Sequence, residues 1–186
     1  MKRLFILCFL FSLNANSQCV FNQTNTITPI GPYTPGQVVT VNYTLANFTG
    51  VNINWIHAFQ INLGAGWTNL TPLIAPLNPG GATGNWLWDL QNTYPGGFNF
   101  GPGWRFVNTG FVPDWGSQST GPFTMRFRVT VGPTCTPDDL SISVNVIGDC
   151  LTGGWNNGAC CSDPAYNIYN GNVQIVLPTT SNINHY

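Results

Sequence analysis

The sequence predicts an all-β protein, an antiparallel β-sandwich of the immunoglobulin-like kind with a long loop region rich in glycine and tryptophan. Several segments alternate apolar and polar residues with a period of two, and no stretch shows a convincing helical period. Glycine and proline interrupt the chain at short intervals. Alternation places successive side chains on opposite faces of a strand, as half-buried antiparallel strands require. Many short strands separated by turn residues are typical of a β-sandwich.

Four segments show this alternation clearly. They are QVVTVNYTL from Gln37, FTMRFRVTV from Phe123, LSISVNVI from Leu140 and NVQIVL from Asn172. In each of them one face is predicted to be buried and the other to meet solvent. The linker GPTCTPDD between the second and third segments predicts either a hairpin or a crossover between two sheets.

A fifth strand contains one of the chain's two histidines, within NINWIHAFQINLGAGW from Asn52. Counting by twos puts His57 on the same face as Trp55 and Phe59, and puts Ile56 on the opposite face. We interpret His57 as a core residue whose ring nitrogens meet a backbone carbonyl or a hydroxyl, because buried polar groups are normally hydrogen-bonded. The alternative is a histidine that faces a ligand on a concave sheet.

The region 64–121 has a different composition. It contains NPGGATGNWLWDL and YPGGFNFGPGWRF, and five of the seven tryptophans lie within it. Turn residues are dense there, so we expect a loop-rich ornament on the sandwich, where function tends to concentrate. Trp86 and Trp88 share strand parity, so their rings form either a binding platform or a second core.

The first residues, MKRLFILCFLFSLNANSQ, predict a secretory signal peptide over residues 1–17. A basic start is followed by an apolar run that is too short to span a bilayer, and then by small residues at the cleavage position. Residues 18–186 then form a single β-sandwich domain. We expect a secreted protein, extracellular or at a cell surface, without membrane insertion.

The remaining chain has few charges. Residues 18–186 contain three arginines, no lysine, six aspartates and no glutamate, so the net charge is −3. Such a composition lacks the basic stripe that nucleic acid requires, and it does not favour anionic membranes. No cofactor signature is present, since a phosphate-binding loop needs a lysine. Polysaccharide or other cell-surface components are the partners that we expect.

Five cysteines follow the signal peptide, and an exported protein normally uses cysteines in disulfides. Cys150 is predicted to pair with Cys160 or Cys161, and Cys19 with Cys135 is a weaker prediction. Adjacent cysteines rarely bond to each other, because the geometry is strained. One thiol is left over, so the protein can associate with itself through that cysteine or through edge strands. Zinc is the poorer alternative, since no paired C-x-x-C motif and no nearby histidine is present.

Catalysis has weak support in the sequence. A glycosidase needs two carboxylates at a set separation, and the pair would have to be Asp89 and Asp114, each beside a tryptophan. The competing interpretation is that both cap turns or pair with Arg105, because aspartate is a standard turn residue. A serine triad would need His57 or His185, and no G-x-S-x-G motif occurs. We therefore expect no enzyme activity.

The aromatic residues give the remaining functional signal. Sugars bind by stacking on flat rings while amides, carboxylates and guanidinium groups bond their hydroxyls. The candidate ligand-binding residues are Trp86, Trp88, Asp89, Trp104, Arg105, Asp114 and Trp115. The competing interpretation is that these rings are buried, as tryptophan usually is.

Three pieces of the chain resemble a known kind of module. They are YTPGQVVTVNYTLANFTGVNINWIHAFQINLGAGW, TGPFTMRFRVTV and LSISVNVIGDCLTGGWNNGACCSDP, which together span roughly Thr26 to Pro164. The chain resembles a module of large secreted proteins of Bacteroidota, exported by type IX secretion and linked to gliding surfaces or adhesion. The resemblance carries no catalytic residues. Such proteins usually have a sorting domain, which this sequence does not contain up to Tyr186.

Three functional hypotheses follow. The first is a non-catalytic adhesion module that binds glycans through loop tryptophans. The second is a structural spacer or filament subunit whose tryptophans are buried. The third is a glycoside hydrolase that uses Asp89 and Asp114.

Overall fold

The computed structural model describes residues 19–48, 55–77, 83–91, 101–110, 115–133, 139–149 and 165–171. In these ranges the chain forms nine β-strands and no helix. The strands are β1 (Val20–Thr28), β2 (Val38–Phe48), β3 (Ile56–Leu63), β4 (Trp67–Ile74), β5 (Gly84–Asp89), β6 (Gly103–Asn108), β7 (Phe123–Val131), β8 (Ile142–Gly148) and β9 (Tyr166–Tyr169).

The strands form two antiparallel sheets. Sheet A has the order β1-β2-β7-β4, and sheet B has the order β5-β6-β3-β8-β9. The two sheets pack together and share one buried core, so the β-sandwich prediction is confirmed. Since β7 lies in sheet A and β8 in sheet B, the linker between them is a crossover and not a hairpin.

The core lies between the sheets, and the alternation of β2 and β7 builds its sheet A side. Val41 is the register partner of Phe127, and Tyr43 is the partner of Met125. All four side chains are at most 1% exposed. The Tyr43 ring meets Phe59 of sheet B with ring centroids 5.9 Å apart, so aromatic contacts join the two sheets.

The region 64–121 is not only an ornament, which corrects the prediction. Its described residues supply β4 at an edge of sheet A and the β5–β6 pair of sheet B. These three strands are not evident in the sequence, because each departs from a regular alternation of apolar and polar residues. Strand β4 contains Pro72 and two irregularities in its register with β7, while β5 and β6 are short and begin with Gly84 and Gly103.

A β-bulge corrects the predicted face of β3. Ile56 pairs with Gly148 and Ala58 with Ile147, so β3 has one residue more than β8 at His57. The extra residue reverses the parity, so Ile56 joins Phe59 in the core cluster instead of lying on the opposite face. The burial of His57 is confirmed, because only 1% of this residue is exposed.

Two other strands were not predicted at all. Strand β1 is a sheet edge with a polar sequence, and β9 is only four residues long. The predicted strand NVQIVL, which begins at Asn172, lies outside the described residues.

Candidate functional site

Two of the predicted ligand-binding tryptophans lie in the core. Trp86 is 8% exposed and Trp104 is 2% exposed. The Trp86 ring contacts Phe59, with centroids 5.2 Å apart, and Phe123 of the opposite sheet, with centroids 5.8 Å apart. Neither indole presents a face on which a sugar could stack, so both are corrected from ligand-binding to core residues. The shared parity of Trp86 and Trp88 left a binding platform and a second core as alternatives, and for Trp86 the structure shows the core.

Trp88 and Trp115 are partly buried, and each ring packs edge to face against a different tryptophan. Trp88 lies across the strand pair from Trp104, with centroids 4.7 Å apart and planes 74° apart. Trp115 meets Trp55 with centroids 5.2 Å apart. Edge-to-face pairs rigidify the rings on which they form, but two rings at such an angle do not make a flat platform. Neither pair forms a flat platform by itself, and ligand binding by Trp88 and Trp115 stays a prediction.

Asp89 and Arg105 come together on the outer face of sheet B. The Nε atom of Arg105 lies 3.5 Å from Oδ2 of Asp89, and both side chains are somewhat more than a quarter exposed. Oδ1 of Asp89 accepts a hydrogen bond from the backbone N–H of Gln91 at 2.8 Å. Asp89 thus caps a turn and pairs with Arg105, as the competing interpretation predicted. Asp114, its proposed catalytic partner, lies outside the described residues.

His57 is a buried titratable group with a strongly perturbed pKa. Burial, and secondarily the positive charge of Arg105, lower the pKa of His57 to about 3. The imidazole is therefore neutral at physiological pH. A group that is 1% exposed is not accessible as a base for an external substrate.

Asp149 is a fully buried carboxylate that holds backbone. Its Oδ1 accepts from the N–H of Trp55 at 2.8 Å, and its Oδ2 accepts from the N–H of Gly116 at 2.9 Å. The two oxygens thus join the start of β3 to the segment before β7. This role of Asp149 was not predicted from the sequence, because the three segments are far apart in the chain.

Cys19 is disulfide-bonded, and it is fully buried at the start of β1. This agrees with the prediction that the cysteines form disulfides. The other predicted disulfide residues lie outside the described ranges: Cys135, Cys150, Cys160 and Cys161.

The outer face of sheet A carries a regular array of polar side chains, and we call it the Thr/Arg face. Its members lie on three adjacent strands and point away from the core. They are Thr24, Thr26 and Thr28 on β1, Thr40, Asn42 and Thr44 on β2, and Thr124, Arg126, Arg128 and Thr130 on β7.

Hydrogen bonds order this face across the strands. Arg126 donates through Nε to Oδ1 of Asn42. Asn42 in turn donates through Nδ2 to Oγ1 of Thr26 at 3.1 Å. At the next row, the hydroxyls of Thr44 and Thr124 lie 3.0 Å apart. The bond orients the guanidinium group of Arg126 through Nε and leaves both Nη groups at its outer end.

The alternation of FTMRFRVTV indicated the outward direction of Arg126 and Arg128, but not their neighbours. Only the strand order shows that β7 lies beside β2, so that Arg128 faces Thr40 and Arg126 faces Asn42. Pairing between strands that are distant in sequence leaves no mark in a single sequence.

The described residues contain no cluster of histidine, cysteine, aspartate or glutamate that could hold a metal ion. Among the same residues no helix is long and apolar enough to cross a membrane. No family model, curated protein or solved structure matches this chain.

Proposed function

We propose that the protein is a non-catalytic, exported adhesion module that binds polysaccharide through the Thr/Arg face. The observation that carries the proposal is the hydrogen-bonded row of Thr26, Asn42 and Arg126, which runs across three strands of an exposed sheet. Hydroxyl, amide and guanidinium groups on a rigid scaffold suit a ligand rich in hydroxyl groups. Groups that are already oriented lose less entropy on binding.

The strand order supports an immunoglobulin-like assignment as part of this proposal. Without the β5–β6 pair, the sheets have the orders β1-β2-β7-β4 and β3-β8-β9. These orders correspond to strands ABED and CFG of a seven-stranded immunoglobulin sandwich. On this interpretation β5 and β6 are a hairpin inserted between the fourth and fifth strands, added to the edge beside β3. Such sandwiches commonly serve as recognition domains on cell surfaces.

The Thr/Arg face replaces the tryptophans as the proposed binding surface. The burial of Trp86 and Trp104 removes two rings from the earlier hypothesis, while Arg126 and Arg128 are both exposed. A broad, flat sheet face suits an extended polymer better than it suits a small molecule, which prefers a concave site.

Affinity electrophoresis against a panel of neutral and acidic polysaccharides tests the proposal. The variant Thr44→Val/Thr124→Val removes two adjacent hydroxyls and keeps the β-branched shape. We expect it to weaken binding by about thirtyfold, since two hydrogen bonds are each worth about 1 kcal/mol. Asn85→Ala, an exposed change on β5 of sheet B, is the control and should bind as the parent does. Retention by no polysaccharide would contradict the proposal.

A structural subunit is the second candidate, and the burial of tryptophans favours it. Trp67, Trp86 and Trp104 are each at most 8% exposed. Strand β5 is an edge of sheet B and carries Leu87, which is 46% exposed, so it can pair with a second copy. Sedimentation over a range of concentrations distinguishes the two: a chain that assembles and binds no polysaccharide is a structural subunit.

A further inference from the structure

The positive charge of the chain is concentrated on one face of the sandwich. Of the three arginines beyond residue 17, Arg126 and Arg128 lie on the Thr/Arg face and Arg105 lies on sheet B. The four strands of sheet A contain no aspartate or glutamate. Residues 18–186 have a net charge of −3, yet this face presents a local excess of positive charge.

The two arginines are positioned for a pair of anions. They are two residues apart on β7, so they project from the same face about 7 Å apart. Strand β7 lies between β2 and β4, which places both side chains near the middle of sheet A. Within the described residues the ion pair is that of Arg105 and Asp89, and neither Arg126 nor Arg128 is paired with a carboxylate.

Their surroundings favour a ligand that carries both negative charge and hydroxyl groups. Arg128 faces Thr40 on one side and Thr71 of β4 on the other, and Arg126 faces Asn42 and Ile74. Two arginines with hydroxyl and amide neighbours match a polymer with a charge on some sugars and hydroxyls on all of them. A nucleic acid would need many more cations, because it is neutralised phosphate by phosphate.

The geometry points to an acidic polysaccharide, of the uronate class, as the ligand of the Thr/Arg face. Arg126 and Arg128 each bind one sugar carboxylate, and the threonine rows bind the hydroxyls between them. Arg126 uses the two Nη groups that its bond to Asn42 leaves at the outer end, and a planar carboxylate fits such a pair of donors. This inference rests on the proposed polysaccharide-binding function and specifies its substrate class.

The test compares polygalacturonate with its fully methyl-esterified form, which has the same backbone without the charge. We expect the parent protein to bind polygalacturonate at least about tenfold more tightly than the ester, the equivalent of one charge-assisted contact. Raising the salt from about 50 mM to about 300 mM should weaken this binding, because exposed charges are screened.

Matched variants test whether the arginines of the Thr/Arg face provide the charge that binds the polysaccharide. Arg126→Gln/Arg128→Gln should lower the affinity for polygalacturonate by about tenfold or more, to that of the ester. Arg105→Gln, which removes the third arginine from the other sheet, should bind within about twofold of the parent. Thermal unfolding of each variant checks that the fold is retained, and we expect it to be, since all three side chains are at least partly exposed.

Five outcomes would overturn the inference. Equal binding of polygalacturonate and its ester refutes the acidic ligand but leaves the proposed function standing. Full binding by Arg126→Gln/Arg128→Gln also refutes it, as does equal loss with Arg105→Gln. Equally tight binding of dextran sulfate or single-stranded DNA through the same two arginines shows a general anion patch instead. Failure to bind any polysaccharide contradicts the proposed function as well.

Discussion

The carboxylate of Asp149 bonds the backbone N–H groups of Trp55 and Gly116, which belong to segments far apart in the chain. Two backbone bonds accompany it: the N–H of Asp149 donates to the carbonyl of Trp55 at 2.9 Å, and that of Ser117 donates to the carbonyl of Ile56 at 2.7 Å. Gly116 has no room for a side chain, because a Cβ would come within 2.6 Å of the Ile56 oxygen. This junction holds the start of β3 beside the end of β8.

Asp149→Asn is expected to destabilise the fold by about 2 to 4 kcal/mol, because hydrogen bonds to a buried charge are strong and the amide brings an N–H toward an N–H. Urea denaturation measures the free energy of unfolding. Asp89→Asn, at a partly exposed turn, is the matched control and should cost less than about 1 kcal/mol. Equal costs for the two variants would show that Asp149 does not hold the junction.

The lowered pKa of His57 predicts acid sensitivity. Its pKa is about 3 in the folded state and 6.5 in the unfolded chain. Between these values the unfolded state binds a proton that the folded state does not, so stability falls as the pH drops below 6.5. Above that pH the imidazole is neutral in both states and contributes no pH dependence.

His57→Gln isolates this effect, since glutamine does not titrate. From about pH 7.5 to about pH 5, the free energy of unfolding should fall by about 2 kcal/mol more in the parent than in the variant, at about 1.4 kcal/mol per pH unit. The measurement is urea denaturation across that range, and His185 is present in both proteins. Parallel stability curves for the parent and His57→Gln would contradict the prediction.

Regular alternation in the sequence predicts its strands correctly. It does not predict the positions at which the register between strands changes. Strand β7 alternates from Phe123 to Val131, and its buried and exposed positions follow the prediction residue by residue. At His57 the alternation continues in the sequence, but the bulge shifts the register in space. A bulge depends on the partner strand, so periodicity within one strand does not show it.

The candidate site was predictable only in part, for a similar reason. The outward position of Arg126 follows from alternation, but its bond to Asn42 follows from the pairing of β7 with β2. Tryptophan in a glycine-rich segment was ambiguous between core and binding surface. The pairing of β5 with β6 assigns Trp86 to the core, because Trp86 lies opposite the buried Phe106.

Gly64 and Gly36 allow the cost of steric crowding to be compared with the cost of an unfavourable backbone conformation. A Cβ on Gly64 would collide with the backbone and carboxylate of Asp139, and the N–H of Gly64 donates to the Ser141 carbonyl at 2.8 Å. Gly36 has φ +78° but open space around it. Gly64→Ala should cost about 2 to 3 kcal/mol through overpacking, and Gly36→Ala about 1 kcal/mol through strain. Thermal unfolding tests the order, and a larger cost at Gly36 would contradict it.

Adjacent residues of β5 test whether this strand belongs to the core. Trp86 is 8% exposed and contacts Phe59 and Phe106, while Leu87 is 46% exposed on the other face. Trp86→Ala should cost about 3 to 5 kcal/mol through the cavity that it leaves. Leu87→Ala should cost less than about 1 kcal/mol, because little surface is uncovered.

Trp86→Phe refines this test of β5, because it keeps an aromatic ring and removes the indole N–H. Among the described residues that N–H has no hydrogen-bond partner, so its loss removes an unsatisfied donor. Trp86→Phe should therefore lower the free energy of unfolding by about 2 kcal/mol less than Trp86→Ala does. Denaturant unfolding measures all three variants. Similar costs for Trp86→Ala and Leu87→Ala would place β5 outside the core and return Trp86 to the surface as a candidate ligand-binding ring.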